Sequence, residues 1–132
     1  MAYMLDANHC IYIMNRDARI QPKAGLHECG ISQIVLGELE YGIANSHENH
    51  REQNRRSLLD LVGSIEIYEL TNETTAIYGR IRAHLKRKGM IIGPNDLWIA
   101  AHAIAFNLPL ITHNTDEFAR IPDLKFDNWY SD

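Results

Sequence analysis

The chain has 132 residues, 45% of them hydrophobic, which is enough to bury the core of one domain and excludes global disorder. Its net charge of −4 argues against a protein that coats nucleic acid with a basic surface, but is compatible with a nuclease whose acids form a cluster. No apolar run approaches the roughly 20 residues that span a bilayer, and the N-terminus lacks the basic and apolar regions of a signal peptide. We therefore expect a single domain over residues 1–132, a cytoplasmic location and no membrane partner.

In the first third of the chain, short strands alternate with helices. The apolar run at residues 3–5 predicts a strand, and the apolar spacing of residues 8–14 predicts a helix. Residues 21–28 predict a weak helix or a loop, and residues 29–31 predict a second strand. The next helix covers residues 32–44 and begins with a serine suited to cap it. Its apolar stripe consists of residues four apart: Val35, Leu39 and Ile43.

The middle of the chain repeats this alternation. Polar residues 45–49 predict a turn, residues 51–62 predict a helix, and the alternating residues 64–70 predict a strand. Asn72 is suited to cap a further helix, and Gly89 is placed to end it. The apolar stripe of that helix is Ile77, Ile81 and Leu85.

The last third carries one long helix and two strands. Pro94 suits the first turn of a helix that contains Asp96, and residues 110–112 and 125–129 predict strands. Short strands that alternate with helices are typical of an α/β fold with a largely parallel sheet and helices on both faces. In such sheets, functional residues gather beyond the carboxyl ends of the strands.

Several acidic residues lie against segments that form the core. Asp6 follows the first predicted strand, Asp96 opens an apolar helix, and Asp116 and Glu117 follow the strand at residues 110–112. If these side chains converge, their mutual repulsion is severe unless a cation lies among them. The pattern therefore predicts a site for Mg²⁺ or Mn²⁺.

Each acid also has a structural interpretation. Asp6 can serve as a turn former or helix N-cap, and the local sequence favours neither role over the other. Acids such as Asp96 are favoured in the first turn of a helix by about 0.3–1 kcal/mol through the macrodipole. Glu38 and Glu40 lie on opposite flanks of the Val35–Leu39–Ile43 stripe, and helix geometry does not choose between them. The polar Thr112 and Asn114 can hold a metal-bound water or satisfy the backbone of the loop.

Two groups of cations are candidates for contact with phosphate. The first lies opposite the apolar stripe of its helix and contains Arg80, Arg82, Lys86, Arg87 and Lys88. The second contains Arg51, Arg55 and Arg56. A solvated helix face is the commoner explanation for any single one of these side chains. As a group they are the best sequence candidates for RNA binding.

Four segments occur in an order that matches a known family: residues 4–8 (MLDAN), 37–42 (GELEYG), 92–100 (IGPNDLWIA) and 112–118 (THNTDEF). With a closing DNW at residues 127–129, the chain resembles the VapC toxins, which are PIN-domain proteins of bacterial toxin–antitoxin pairs. The resemblance covers nearly the whole chain. It departs from the family at Ala7, where many members have Thr or Ser.

The resemblance implies a three-layer α/β/α sandwich with a short, largely parallel central sheet. It implies an endoribonuclease that depends on Mg²⁺ or Mn²⁺ and cuts structured RNA, with tRNA as the expected substrate. It also implies a homodimer, inhibition by a VapB antitoxin, and larger toxin–antitoxin assemblies. These assemblies bind operator DNA through the antitoxin.

The resemblance also assigns roles to individual residues. The four catalytic acids are Asp6, Glu38, Asp96 and Glu117. Among them, Asp6 and Asp96 are the expected metal ligands, whereas Glu38 and Glu117 act through metal-bound water. Asp116 is the alternative to Glu117 as the fourth acid. The supporting polar residues are Asn8, Thr112, Asn114 and Asp116.

Other functions are compatible with parts of the pattern. A PIN-fold nuclease could process RNA outside a toxin–antitoxin system, or a PIN-fold protein could bind RNA without cutting it. A ribonuclease that uses two of the seven histidines as acid and base would work in EDTA. A receiver-like signalling domain would also bind Mg²⁺, but it requires paired acids after the first strand, where Asp6 stands alone.

Overall fold

The computed structural model describes residues 2–131. The strands are β1 (Tyr3–Leu5), β2 (Cys29–Ser32), β3 (Glu66–Tyr68), β4 (Leu110–Ile111) and β5 (Phe126–Asp127). The helices are α1 (Ala7–Met14), α2 (Gln33–Ala44), α3 (Glu48–Val62), α4 (Asn72–Arg87), α5 (Pro94–Ala105) and α6 (Thr115–Phe118). Helices cover both faces of the sheet, which confirms the predicted α/β/α sandwich.

The strands form one parallel sheet in the order β3-β2-β1-β4-β5. The central strand β1 pairs with β2 through Tyr3 and Cys29, and with β4 through Met4 and Leu110. Because all strands run the same way, the residues that follow β1 and β4 emerge at the same edge of the sheet. This edge is where the sequence places Asp6 and residues 112–118.

The core lies between the sheet and its helices. Met4, Leu5, Leu110 and Ile111 of the central strands are fully buried. Both predicted helix stripes are buried as well: Val35, Leu39 and Ile43 in α2, and Ile77, Ile81 and Leu85 in α4. Helix α5 is buried on most of its surface, which explains why its sequence is apolar nearly all round.

The structure corrects several predicted boundaries. The residue that caps α4 is Thr71, not Asn72, because the Thr71 hydroxyl accepts a hydrogen bond from the Thr74 amide at 3.1 Å. Helix α3 begins at Glu48 instead of 51, since His47 caps it through Nδ1. Strand β3 is shorter than the predicted 64–70, and the 21–28 segment contains only a 3₁₀ turn at Leu26–Glu28.

The end of α4 agrees with the sequence. Gly89 has a φ of +68°, the left-handed conformation that glycine adopts without strain after a helix. Within residues 2–131, no helix combines the length and the apolar character needed to cross a membrane.

Candidate active site

Asp6 lies at the junction of β1 and α1 and is largely buried. Its Oδ1 accepts the main-chain N–H of His9 at 2.8 Å, so Asp6 is the N-cap of α1. The same oxygen lies 3.1 Å from Nδ1 of the His9 ring. Asp6 therefore serves as a helix N-cap. Its carboxylate also lies at the edge of the sheet where functional groups gather.

Asp96 lies in the first turn of α5, after the Gly93 N-cap and Pro94. The pKa of Asp96 is raised to about 6, chiefly by burial and then by the neighbouring carboxyl group of Glu117. The charges of Glu38 and Asp6 contribute in the same direction. Asp96 is thus influenced by three acids that are distant from it in sequence and come from other elements of the fold.

Glu38 and Glu40 have different surroundings. Glu38 is half-buried, and its burial raises its pKa above the ordinary value. A hydrogen bond from Asn95 opposes this rise, whereas the charge of Asp6 adds to it. Glu40 is exposed and pairs with Arg55 at 2.6 Å. Of these two glutamates, the structure brings Glu38 to Asp6.

Glu117 is the member of the adjacent acidic pair that meets Asp96. Its Oε2 accepts a hydrogen bond from Nδ2 of Asn114, whose main-chain N–H donates to Oγ1 of Thr112 at 3.1 Å. Thr112 and Asn114 therefore support Glu117 from the end of β4. Asp116 is exposed and makes no hydrogen bond within the described chain.

Asn8, the remaining residue in the predicted supporting set, is exposed on α1. Among residues 2–131, it makes no hydrogen bond to any of the four acids. The structure therefore brings Thr112 and Asn114 to the acids, whereas Asn8 and Asp116 face solvent.

The donor set suits a hard divalent cation. Carboxylate oxygens are the ligands that Mg²⁺ prefers, and Mg²⁺ is held by one or two carboxylates while it keeps several waters. Among residues 2–131, no three or more His, Cys, Asp or Glu side chains form a ready set of direct ligands.

Two residues at the site were missed in the sequence. Asn95 bonds to Glu38, and His9 bonds to Asp6. His9 follows the Asp6 cap by three residues, which places it in the first turn of α1 beside the cap and could have indicated the contact. Asn95 offered no comparable signal, because its partner lies on another helix.

The two predicted cation groups also differ. In the α3 group, Arg55 pairs with Glu40 at 2.6 Å and Arg56 pairs with Glu52 at 2.7 Å. The α4 group of Arg80, Arg82, Lys86, Arg87 and Lys88 is exposed, and none of its members pairs with a described carboxylate. Arg51, the third member of the α3 group, donates to the main-chain carbonyl of Ser46 and also pairs with no described carboxylate. The α4 group is therefore the larger set of cations whose charge is available to a ligand.

Comparison with known proteins gives a consistent result over the full length. A family model described as PIN domain matches residues 3–124. The chain is 42% identical to Ribonuclease VapC2 of Rickettsia felis, over 98% of both chains. It is 35% identical to the tRNA(fMet)-specific endonuclease VapC of Salmonella typhimurium, again over 98% of both.

A solved structure agrees with these relatives. The crystal structure of VapBC2 from Rickettsia felis, bound to a DNA fragment from its promoter, contains a chain that matches this one with a TM-score of 0.85 and 41% identity. The match covers 98% of this chain and 99% of that chain. The similarity therefore extends over the whole fold and includes every element that carries one of the four acids.

Proposed function

This chain belongs to the VapC family of PIN-domain ribonucleases, and we propose that it is the toxin of a toxin–antitoxin pair and cleaves structured RNA, with tRNA as the first candidate. The observation that carries the proposal is the convergence of Asp6, Glu38, Asp96 and Glu117 from separate elements. Such a cluster is costly without a cation and suits phosphodiester cleavage with one.

PIN-domain nucleases are generally metal-dependent, and we assign Mg²⁺ to this site, with Mn²⁺ as the alternative. Asp6 and Asp96 would hold the ion directly: Asp6 is largely buried at the end of β1, and Asp96 is half-buried in the first turn of α5. When bound, the ion lowers the pKa of a coordinated water and offsets the charge that develops on the phosphate. Glu38 and Glu117 would orient water around the ion.

The supporting residues hold these two glutamates in place. Asn114 donates to Glu117, and Asn95 donates to Glu38. An amide donor favours the ionised form of its carboxylate partner, which is the form that accepts a hydrogen bond from water. Thr112 fixes the Asn114 main chain in turn.

The α4 cations supply the charge that draws RNA to an acidic protein. The exposed members of this group lie on one helix, which precedes the loop leading to Asp96. Contacts with phosphate do not depend on the nucleotide sequence of the RNA, so this surface would contribute affinity and would position the RNA. The acids would carry out cleavage.

A VapB-type antitoxin is the proposed partner, since solved relatives are VapBC complexes. A groove between α1, α2 and α3 reaches Glu38 and is lined by Ile11, Met14, Leu39, Ile43 and Leu58. An amphipathic segment of the antitoxin would bury these side chains and cover the acids. We further propose a homodimer, a larger complex that binds operator DNA through the antitoxin, and a cytoplasmic location.

The test is cleavage of total tRNA by the purified chain, with sequencing of the new ends. We expect cleavage with Mg²⁺, none in EDTA, and none by Asp96→Asn with Mg²⁺ present. Cleavage that persists in EDTA would contradict the proposal and favour a histidine-based ribonuclease.

A further inference from the structure

His9 is fully buried, and both nitrogens of its ring have partners. Nδ1 lies 3.1 Å from Oδ1 of Asp6, and Nε2 accepts the main-chain N–H of Trp129 at 3.3 Å. A buried imidazole is destabilising unless its polar atoms are hydrogen-bonded. The site therefore holds this ring in one orientation between two segments from opposite ends of the chain.

The Trp129 amide determines which nitrogen of His9 carries the proton. An amide N–H can only donate, so Nε2 must present a lone pair. The proton of the neutral ring then resides on Nδ1, from which it is donated to the Asp6 carboxylate. The Tyr12 ring packs against the same imidazole in a T-shaped arrangement, with the ring centroids 5.6 Å apart.

The consequence for Asp6 is that one of its oxygens is fixed by two donors. Oδ1 accepts from the His9 main chain at 2.8 Å and from the His9 ring at 3.1 Å. Within the described residues, Oδ2 makes no hydrogen bond. The carboxylate thus has one anchored oxygen and a second oxygen that remains for an external ligand.

We infer that His9 is a positioning residue that holds Asp6 in the orientation in which it ligates a divalent cation. The inference rests on the proposed function, in which Asp6 is a direct ligand. Removal of a hydrogen bond behind a metal ligand typically weakens metal binding by about 10–100-fold. His9 would act through Asp6, without contact with the RNA or the ion.

The test measures the affinity of the full-length chain for Mn²⁺ by electron paramagnetic resonance, in the absence of RNA. His9→Leu removes the ring donor and should raise the Kd for Mn²⁺ about tenfold or more. His9→Asn keeps an amide donor near the position of Nδ1, so it should recover part of the affinity. His102→Leu is the matched control, because His102 is equally buried but bonds to Ser32 and the Glu69 carbonyl instead.

The outcomes distinguish the inference from the proposed function. Unchanged affinity in His9→Leu, or an equal loss in His102→Leu, would overturn the role of His9. Unchanged affinity in Asp6→Asn would instead overturn the assignment of Asp6 as a ligand. Should His9→Leu fail to fold, long-range ¹H–¹⁵N NMR of the unmutated chain decides the question. The inference requires a proton on Nδ1 and none on Nε2, and the reverse tautomer contradicts it.

Discussion

Glu117, in α6, lies close enough to Asp96, in the first turn of α5, to raise the pKa of the Asp96 carboxyl group. Burial is the largest cause of that rise, and the charge of Glu117 comes next, because like-charge repulsion disfavours the ionised form of Asp96. The site therefore contains a repulsion that either a proton or a divalent ion relieves.

This repulsion predicts that Asp96→Asn stabilises the metal-free protein at neutral pH. The pKa of Asp96 rises from 3.8 to about 6 on folding. At pH values between these two, the folded chain therefore binds more protons than the unfolded chain. The contribution of Asp96 to stability is complete below 3.8 and is lost as the pH rises through about 6. After a discount for solvent screening, we expect a gain of about 1–2 kcal/mol at pH 7.5.

Thermal unfolding in EDTA at several pH values measures this effect. The difference between Asp96→Asn and the unmutated chain should shrink as the pH falls toward 4. Mg²⁺ should raise the Tm of the unmutated chain and have little effect on the variant. A variant that is less stable at every pH would show that Asp96 is not repelled by its neighbours.

The contribution of His102 to stability should depend on pH in the opposite direction to that of Asp96. Burial lowers the pKa of His102 below 6.5, so the unfolded chain binds more protons once the pH falls through that value. Its contribution is present above about 6.5 and is lost at lower pH. His102→Gln should lower the free energy of unfolding by roughly 1–3 kcal/mol at pH 7.5. Below pH 6.5, the variant should lose less stability with falling pH than the unmutated chain does. Urea denaturation above and below pH 6.5 would reveal whether the dependence of stability on pH differs between the variant and the unmutated chain.

Asp6→Asn should abolish cleavage while the fold is preserved. Asn is as good an N-cap as Asp, so α1 should keep its first turn, but the neutral amide lacks the negative charge with which a carboxylate binds Mg²⁺. We expect a loss of at least about 100-fold in RNA cleavage and relief of growth arrest on expression. The exposed Asp60→Asn in α3 is the control, and circular dichroism checks the fold. Full toxicity of folded Asp6→Asn would refute the assignment.

The two glutamates of α2 should respond differently to the same change. Glu38→Gln removes a charge beside Asp6 and should reduce cleavage by about 10-fold or more. Glu40→Gln removes only an exposed ion pair with Arg55, which contributes less than about 1 kcal/mol to stability. Single-turnover cleavage assays on both variants compare them, and the reverse order of effects would mean that Glu40 faces the reaction.

The α4 cations should control the salt dependence of RNA binding. Replacement of Lys86, Arg87 and Lys88 by Gln should weaken binding and reduce the slope of log K against log salt by about 0.7 for each lost phosphate contact. Arg55 and Arg56 are already paired, so their replacement should leave the slope unchanged. Binding is measured with Asp96→Asn as the background, which prevents cleavage. Equal slopes in all variants would place the RNA elsewhere.

Much of the fold was predictable because its determinants are local. The stripe of Val35, Leu39 and Ile43 required only helical spacing, and Gly89 required only the conformational freedom of glycine. The error at Thr71 and Asn72 has a local cause too, since both residue types cap helices and the sequence does not show which hydroxyl or amide reaches the Thr74 amide.

The sequence by itself determined the order of strands and helices and the presence of acids at the strand ends, because these depend on neighbours within a few residues. Only the tertiary structure decided that Glu38 faces Asp6 while Glu40 meets Arg55, and that Glu117 meets Asp96 while Asp116 faces solvent. Only the structure placed the Trp129 amide on the ring of His9. These contacts join segments far apart in the chain, and no local periodicity records which distant side chain will lie opposite.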